Sequence, residues 1–283
     1  MKFAILGSDG FLGSYICREC EQLGIDFIPL NRFGWNKLSN SNLGNWFDEN
    51  KITTVIFCCG FSQRFKPQEI EKLDELETVN LILKKTNIRL VYLSSALVYG
   101  FKNDNGDISS LDLQETADIS PTGAYGMYKR IIERLVLQAD EKNCVMRLVS
   151  CIGKKKKSGL MKSIESQIIN NKGRINMLHG NTIRDYIWVG NAAKLIINLI
   201  LNEDIRGIFN IGSGKGVKVS EIVDKFARFY KSNIYDISFG KLMVEDPKRL
   251  VLDLSKTKQN VPDSVLEKVF ACNQIDKYLE EKV

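Results

Sequence analysis

A single histidine, His179, and seven cysteines without regular spacing leave this 283-residue chain few means of holding a metal ion. Zinc sites draw three or four ligands from such side chains, so no metal is expected. The thiol count is odd, and Cys58 and Cys59 sit side by side in an apolar run. Buried reduced thiols are therefore expected rather than a disulfide framework. Proline is scarce at 5 and glycine ordinary at 21, which excludes collagen-like and low-complexity readings. No run of 18 apolar residues exists, because Lys194, Asn198 and Asn202 break the longest candidate. The apolar stretch from Phe3 to Leu6 is too short for a signal peptide. Neither a membrane span nor a membrane partner is expected, and the location expected is cytoplasmic. Charge of one sign is also in short supply. Forty Lys and Arg against 34 Asp and Glu leave +6, which suits an anionic small molecule, whereas a nucleic-acid partner would call for a stronger basic bias.

What is present is an ordinary globular composition, 44% apolar and 26% charged, long enough for one large domain with an appended lobe. Over the first two-thirds, short apolar runs alternate with amphipathic stretches, the pattern of a parallel sheet covered by helices. Strands are expected near Lys2 to Leu6, Ile25 to Leu30, Thr53 to Cys58, Arg89 to Leu93, Cys144 to Val149 and Gly207 to Ile211. Apolar spacings of three and four predict helices over Phe11 to Leu23, Lys66 to Lys85 and Pro121 to Ala139. For the last of these, Ser120-Pro121 supplies a capping hydroxyl and a first-turn proline. After Ser150 the alternation becomes irregular, with helices expected at Leu160 to Asn170, Val189 to Leu201 and Val219 to Tyr230. The reading is an α/β chain: a doubly wound Rossmann-type domain over 1–150, with a returning segment near 185–212, and a smaller mixed substrate lobe over 151–283.

Gly7-Ser8-Asp9-Gly10-Phe11-Leu12-Gly13 stands directly between the first strand and the first helix. Glycines at these three positions permit a tight turn, close approach of backbone to a pyrophosphate, and close packing of helix on strand. The helix N-terminus then presents free N–H groups to the phosphates. The second strand ends at Asn31-Arg32 with no carboxylate. An acid there would bind the adenosine ribose hydroxyls of NAD, and an arginine would accommodate the 2′-phosphate of NADP. Arg32 tips the reading toward NADP, with NAD left open. Cys58, Cys59 and Gly60, at the end of the third strand, are expected to line the cofactor cleft.

Ser94 and Ser95 close the fourth strand, and Tyr125 and Lys129 lie four apart on the following helix, so both can reach one pocket. A phenol of pKa about 10 is only about a thousandth ionised at pH 7. A nearby ammonium can lower that pKa by about one to three units. A serine hydroxyl would hold the substrate oxygen and help pass the proton.

The glycine loop, Ser94-Ser95-Ala96-Leu97-Val98-Tyr99-Gly100 and Tyr125-x-x-x-Lys129, in that order, resemble the extended short-chain dehydrogenase/reductases, in particular the NAD-dependent epimerase/dehydratase family acting on nucleotide sugars. The resemblance runs to about Asn260 through Arg147-Leu148 with Gly153, Arg184-Asp185-Tyr186, Val189-Gly190-Asn191, Phe209 to Gly214 and Asp253 to Lys256. It implies Ser95, Tyr125 and Lys129 as the catalytic set, with Tyr125 and Lys129 also on the cofactor and Ser95 on the substrate. It further implies Arg184 as a contact to the sugar nucleotide's diphosphate, which a guanidinium can grip in a bidentate fork. A homodimer pairing the helices Lys66 to Lys85 and Pro121 to Ala139 is implied as well.

Departures narrow the chemistry. Family members that eliminate water carry an Asp-Glu pair where this chain has Ala96-Leu97, and epimerases acting at C3 and C5 resemble a Ser-Cys arrangement where this chain has Ala96. The usual acid before the later helix reads Gly190-Asn191, and Leu242-Met243 replace the expected arginine. Lys241, Lys248, Arg249 and the Lys154 to Lys157 run are candidates to compensate, although that run is expected to be a solvated loop. What remains is hydride transfer with one acid–base tyrosine. The leading expectation is an NAD(P)H-dependent reductase of a nucleotide-activated 4-keto-6-deoxysugar for surface polysaccharide. The alternatives are a nucleotide-sugar 4-epimerase with tightly held NAD and a non-catalytic dinucleotide-binding regulatory protein.

Overall fold

A computed structural model describes residues 1–31, 43–60, 74–84, 88–100, 112–121, 123–170, 174–178, 180–231, 236–240 and 248–282. Six parallel strands form the main sheet: β1 (Phe3–Leu6), β2 (Phe27–Leu30), β3 (Thr54–Phe57), β4 (Arg89–Ser95), β5 (Cys144–Leu148) and β9 (Gly207–Ile211). Their spatial order is β2-β1-β3-β4-β5-β9. All six apolar runs read from the sequence are these strands, because parallel strands covered on both faces need apolar residues at successive positions. Phe3 and Ile5 enter one core cluster while Ala4 and Leu6 enter the other.

Helices α1 (Gly13–Gln22) and α6 (Val189–Leu201) cover the first face. α6 is buried almost all round, as expected of a helix apolar on every side. The second face is covered by α2 (Leu43–Glu49), α3 (Asp74–Leu83) and α4 (Ala124–Ala139), which contribute Phe47, Val79, Ile82, Tyr128, Ile132 and Val136. The Lys66 to Lys85 expectation is described only over α3 and Lys84; residues 66–73 and 85 lie outside the described residues.

α4 begins later than the sequence suggested. Its N-cap is Gly123, with no side-chain cap. Ser120 instead donates its N–H to the Tyr99 carbonyl at 3.2 Å and forms a bridge with Gly100. That tertiary contact draws Ser120 and Pro121 out of the helix, and the capping role expected of them is not realised.

The second sheet runs β10 (Gly216–Lys218), β8 (Ile183–Trp188), β12 (Arg249–Leu250), with β6 (Ser150–Ile152) also paired to β8. Strand β7 (Arg174–Leu178) pairs with β11 (Asp236–Gly240). A separate core of Met161, Ile164, Tyr186, Ile222, Phe226 and Tyr278 among others joins α5 (Leu160–Asn170), α7 (Val219–Phe229) and α10 (Gln274–Glu280). The remaining helices are α8 (Ser255–Gln259) and α9 (Asp263–Phe270). Among the described residues no helix is long and apolar enough to cross a membrane.

Candidate active site

β1 has β2 on one side and β3 on the other, so the strand order reverses beside it. Ligands of open α/β sheets bind at such a switch point, outside the carboxyl ends of the strands. The glycine loop leaves β1 there. Gly7 adopts φ +81°, and a Cβ on it would come within 3.1 Å of the Cys58 and Cys59 backbone. A Cβ on Gly13 would lie 2.0 Å from the Gly7 carbonyl oxygen. The loop therefore folds onto the start of α1 with no room for side chains at those two points. The first N–H groups of a helix have no intrahelical acceptor and favour an anion. This cradle fits the pyrophosphate of a dinucleotide.

Ser8, Phe11 and Leu12 are half-buried around the loop, while Asp9 and Gly10 are exposed. Cys58 follows β3 and donates its backbone N–H to Leu6 at 2.9 Å. Burial pushes its thiol well above the usual range, which leaves it protonated and unreactive. Asn31 follows β2 and is exposed; Arg32 lies outside the described residues.

Ser95 ends β4 and caps a short 3-10 turn (Ala96–Val98), its Oγ accepting the Leu97 N–H at 3.2 Å. α4 packs tightly on that turn, since a Cβ on Gly126 would lie 2.7 Å from the Leu97 carbonyl oxygen. This close approach carries Tyr125 to Ser95 and sets Lys129 one turn further along. The Lys129 Nζ stands 6.0 Å from the centre of the Tyr125 ring. Burial pushes the Tyr125 phenol up; Lys129 pulls it down, Glu75 and Cys151 push it up, and a hydrogen bond with Ser95 pulls it down. The structure thus brings Ser95, Tyr125 and Lys129 together. Arg184 stands on β8 in the second sheet, half-buried.

Several residues at or near the site carried no readable sequence signal. Lys129 is almost wholly buried and pairs with Glu75 at 2.8 Å. Burial acts to lower its pKa, but Glu75, Tyr125 and Cys59 together outweigh it and the ammonium is held above its usual value. Behind β4, Ser94 donates to Glu133 at 2.6 Å, and Glu133 pairs with Arg147 at 2.9 Å, neither charged side chain being exposed. Ser94 is therefore committed to the interior, and Ser95 is the hydroxyl beside Tyr125.

The lysine run is only partly solvated. Lys154, Lys155 and Lys157 are exposed, but Lys156 turns inward, donating to the Cys151 carbonyl at 2.7 Å with its Nζ 5.8 Å from the Phe11 ring centre. Burial pulls its pKa down. Arg249 pairs with Asp112, and the exposed Lys248 accepts the Ile183 N–H at its carbonyl. Asn191, in place of the usual acid, is buried and donates to Val269 and Gln274. His179, Lys241, Leu242 and Met243 lie outside the described residues.

A doubly wound parallel sheet with a pyrophosphate cradle at its switch point defines a dinucleotide-binding Rossmann protein. The model of the NAD dependent epimerase/dehydratase family matches residues 3–212, and the chain belongs to that family. Over 306 residues it is 22% identical to the UDP-glucose 4-epimerase of Lactobacillus helveticus, covering 91% of this chain and 90% of the relative. Its fold is similar to that of the Thermus thermophilus UDP-glucose 4-epimerase in complex with NAD, with a TM-score of 0.78 and 18% identity over 99% of this chain and 98% of the other. It is equally similar to RMD of Pseudomonas aeruginosa complexed with NADPH, at TM-score 0.78 and 20% identity over 99% and 97%. The fold is that of the extended short-chain dehydrogenase/reductases, and the family it belongs to is one described as NAD dependent.

Proposed function

We propose that this chain reduces a nucleotide-activated 4-keto-6-deoxysugar with NAD(P)H. The observation that carries this reading is the meeting of Ser95, Tyr125 and Lys129 beside the dinucleotide cradle, with the buried Ala96 next in the chain. An alanine can move no proton, so elimination and decarboxylation lack a second acid–base group at that position. A bound nicotinamide supplies hydride. Ser95 positions the sugar carbonyl oxygen, and Tyr125 gives it a proton as the carbon is reduced. Gly7, Ser8, Asp9, Gly10, Phe11, Leu12 and Gly13 cradle the pyrophosphate, and Arg184 with the lobe over 151–283 holds the sugar nucleotide. Arg32 favours NADP.

A second reading, 4-epimerisation with NAD as oxidant and then reductant, uses the same residues and is supported by the activity named for the Lactobacillus relative. One experiment separates them: denature freshly purified protein, quantify released NAD and NADP, and titrate the cofactor-free fraction with NADPH and NADH. An empty site that prefers NADPH, followed by turnover of 4-keto-deoxysugar nucleotides, supports the reductase. Near-stoichiometric NAD that survives purification refutes it in favour of the epimerase.

A further inference from the structure

Lys129 is not a lone cation. Its three Nζ protons are spoken for: Glu75 Oε1 at 2.8 Å, Tyr92 Oη at 2.8 Å and the Leu93 carbonyl at 3.3 Å. The Tyr92 hydroxyl in turn donates to the same Glu75 oxygen at 2.9 Å, which closes a triangle of buried polar groups. Gly60 leaves the space for it, since a Cβ there would lie 3.2 Å from Nζ. The other carboxylate oxygen, Glu75 Oε2, is buried and has no hydrogen-bond partner among the described residues. Buried polar atoms are nearly always satisfied, and an exception asks for a reason. A pair kept only for stability would be expected to engage both oxygens, because burying an ion pair repays its desolvation only when the remaining lone pairs are bonded.

The reason lies in the charge balance around Tyr125. Facing the Lys129–Glu75 pair are Tyr125 and Tyr128 from α4, Tyr92 from β4 and Cys59 after β3, while Cys151 on β6 faces Tyr125. Burial pushes the Tyr92 and Tyr128 phenols and the Cys151 thiol up. The pair itself thus carries the opposed charges of this pocket. An unpaired ammonium would stabilise a Tyr125 phenolate, whereas one neutralised at 2.8 Å by a carboxylate offers much less.

We infer that Glu75 is a positioning residue: its carboxylate pins the Lys129 ammonium against Tyr92 and opposes its pull on Tyr125, so the site is poised to give a proton to a substrate oxygen rather than to take one. This rests on the reductive reading above, in which Tyr125 is the acid. It is tested without any substrate, so failure of the sugar assignment and failure of this inference are separate results. Tyrosine isotope-labelled at Cζ is followed by NMR against pH in the cofactor-free protein, and the Tyr125 signal is identified by its loss in Tyr125→Phe. In the unmodified protein Tyr125 titrates above the free-phenol value of about 10. In Glu75→Gln that titration falls by about one pH unit or more, a tenfold rise in phenolate at a given pH, while Glu75→Asp keeps the original value. An unmoved Tyr125 in Glu75→Gln, or an equal fall in Glu75→Asp, overturns the inference. So does a titration clearly below about 10 in the unmodified protein, a result that needs no variant to fold.

Discussion

Glu133 and Arg147 meet at 2.9 Å with both side chains entirely removed from solvent, and the Arg147 guanidinium also lies 4.6 Å from the centre of the Tyr99 ring. Glu133 is on α4 and Arg147 on β5, so the pair ties the helix bearing Tyr125 to the sheet. Removing Arg147 leaves the buried Glu133 carboxylate with only Ser94 and the partly exposed Arg130 at 3.3 Å, and breaking a buried pair costs up to about 3–5 kcal/mol. Arg147→Met is expected to lose that much in chemical denaturation at an unchanged m value. The double variant Glu133→Leu/Arg147→Met should recover most of it. A single-variant loss below about 1 kcal/mol would show that the pair does not hold α4 in place.

Ser94 and Ser95 make a sharper comparison, since they are neighbours with different partners. Ser94 is bonded to Glu133 and Ser95 adjoins Tyr125. Ser94→Ala is expected to keep kcat within a few-fold of the unmodified enzyme while losing about 1 kcal/mol of stability. Tyr125→Phe and Ser95→Ala should lower kcat by about 10²–10⁴-fold and leave dinucleotide binding, read by fluorescence titration, nearly unchanged. A fully active Tyr125→Phe would remove Tyr125 from the chemistry.

In the second core, Glu165 gathers Lys162, Lys282 and Tyr230. Burial pushes its carboxyl up, but hydrogen bonds from Lys282, Tyr230 and Lys162 outweigh it and hold the pKa at about 2. A carboxylate depressed in the folded state contributes stability that is fully present above its unfolded pKa, about 4.3. The contribution is lost as pH falls from there toward 2. Glu165→Gln should melt about 2–4 °C lower at neutral pH, and the difference should shrink as the buffer is taken to pH 3. A difference that grows on acidification would reverse the sign argued here.

The parts legible in the sequence are those whose signal is local. The six core strands appear as continuous apolar runs, and Ser95, Tyr125 and Lys129 stand at spacings that a strand end and one helical turn dictate. Strands such as Ser150–Ile152 and Arg249–Leu250 are too short to show a pattern, and they exist only because each pairs with β8. Glu75 was invisible for the same reason: its partner Lys129 is 54 residues away, and nothing around it separates it from the other acids of an amphipathic helix. The inward turn of Lys156 likewise depends on the Cys151 carbonyl and the Phe11 ring, which no charge pattern can announce.

α4 carries Tyr125 and Lys129 on one side and an exposed apolar pair on the other. Met127 is 49% exposed and Ile131 53% exposed, and residues four apart on a helix are neighbours on one face. Isolated exposed apolar residues are ordinary; two adjacent ones, on a helix that the family resemblance implies as a dimer contact, are where a second copy of this chain is expected to sit. Sedimentation at micromolar concentration is expected to give a dimer, and Ile131→Glu a monomer, because a buried charge facing its own symmetry mate is strongly unfavourable. The monomeric variant should also lose activity in part, since Tyr125 and Lys129 sit on the helix that the contact would hold. A monomer in the unmodified protein refutes the dimer and leaves Met127 and Ile131 as plain surface residues.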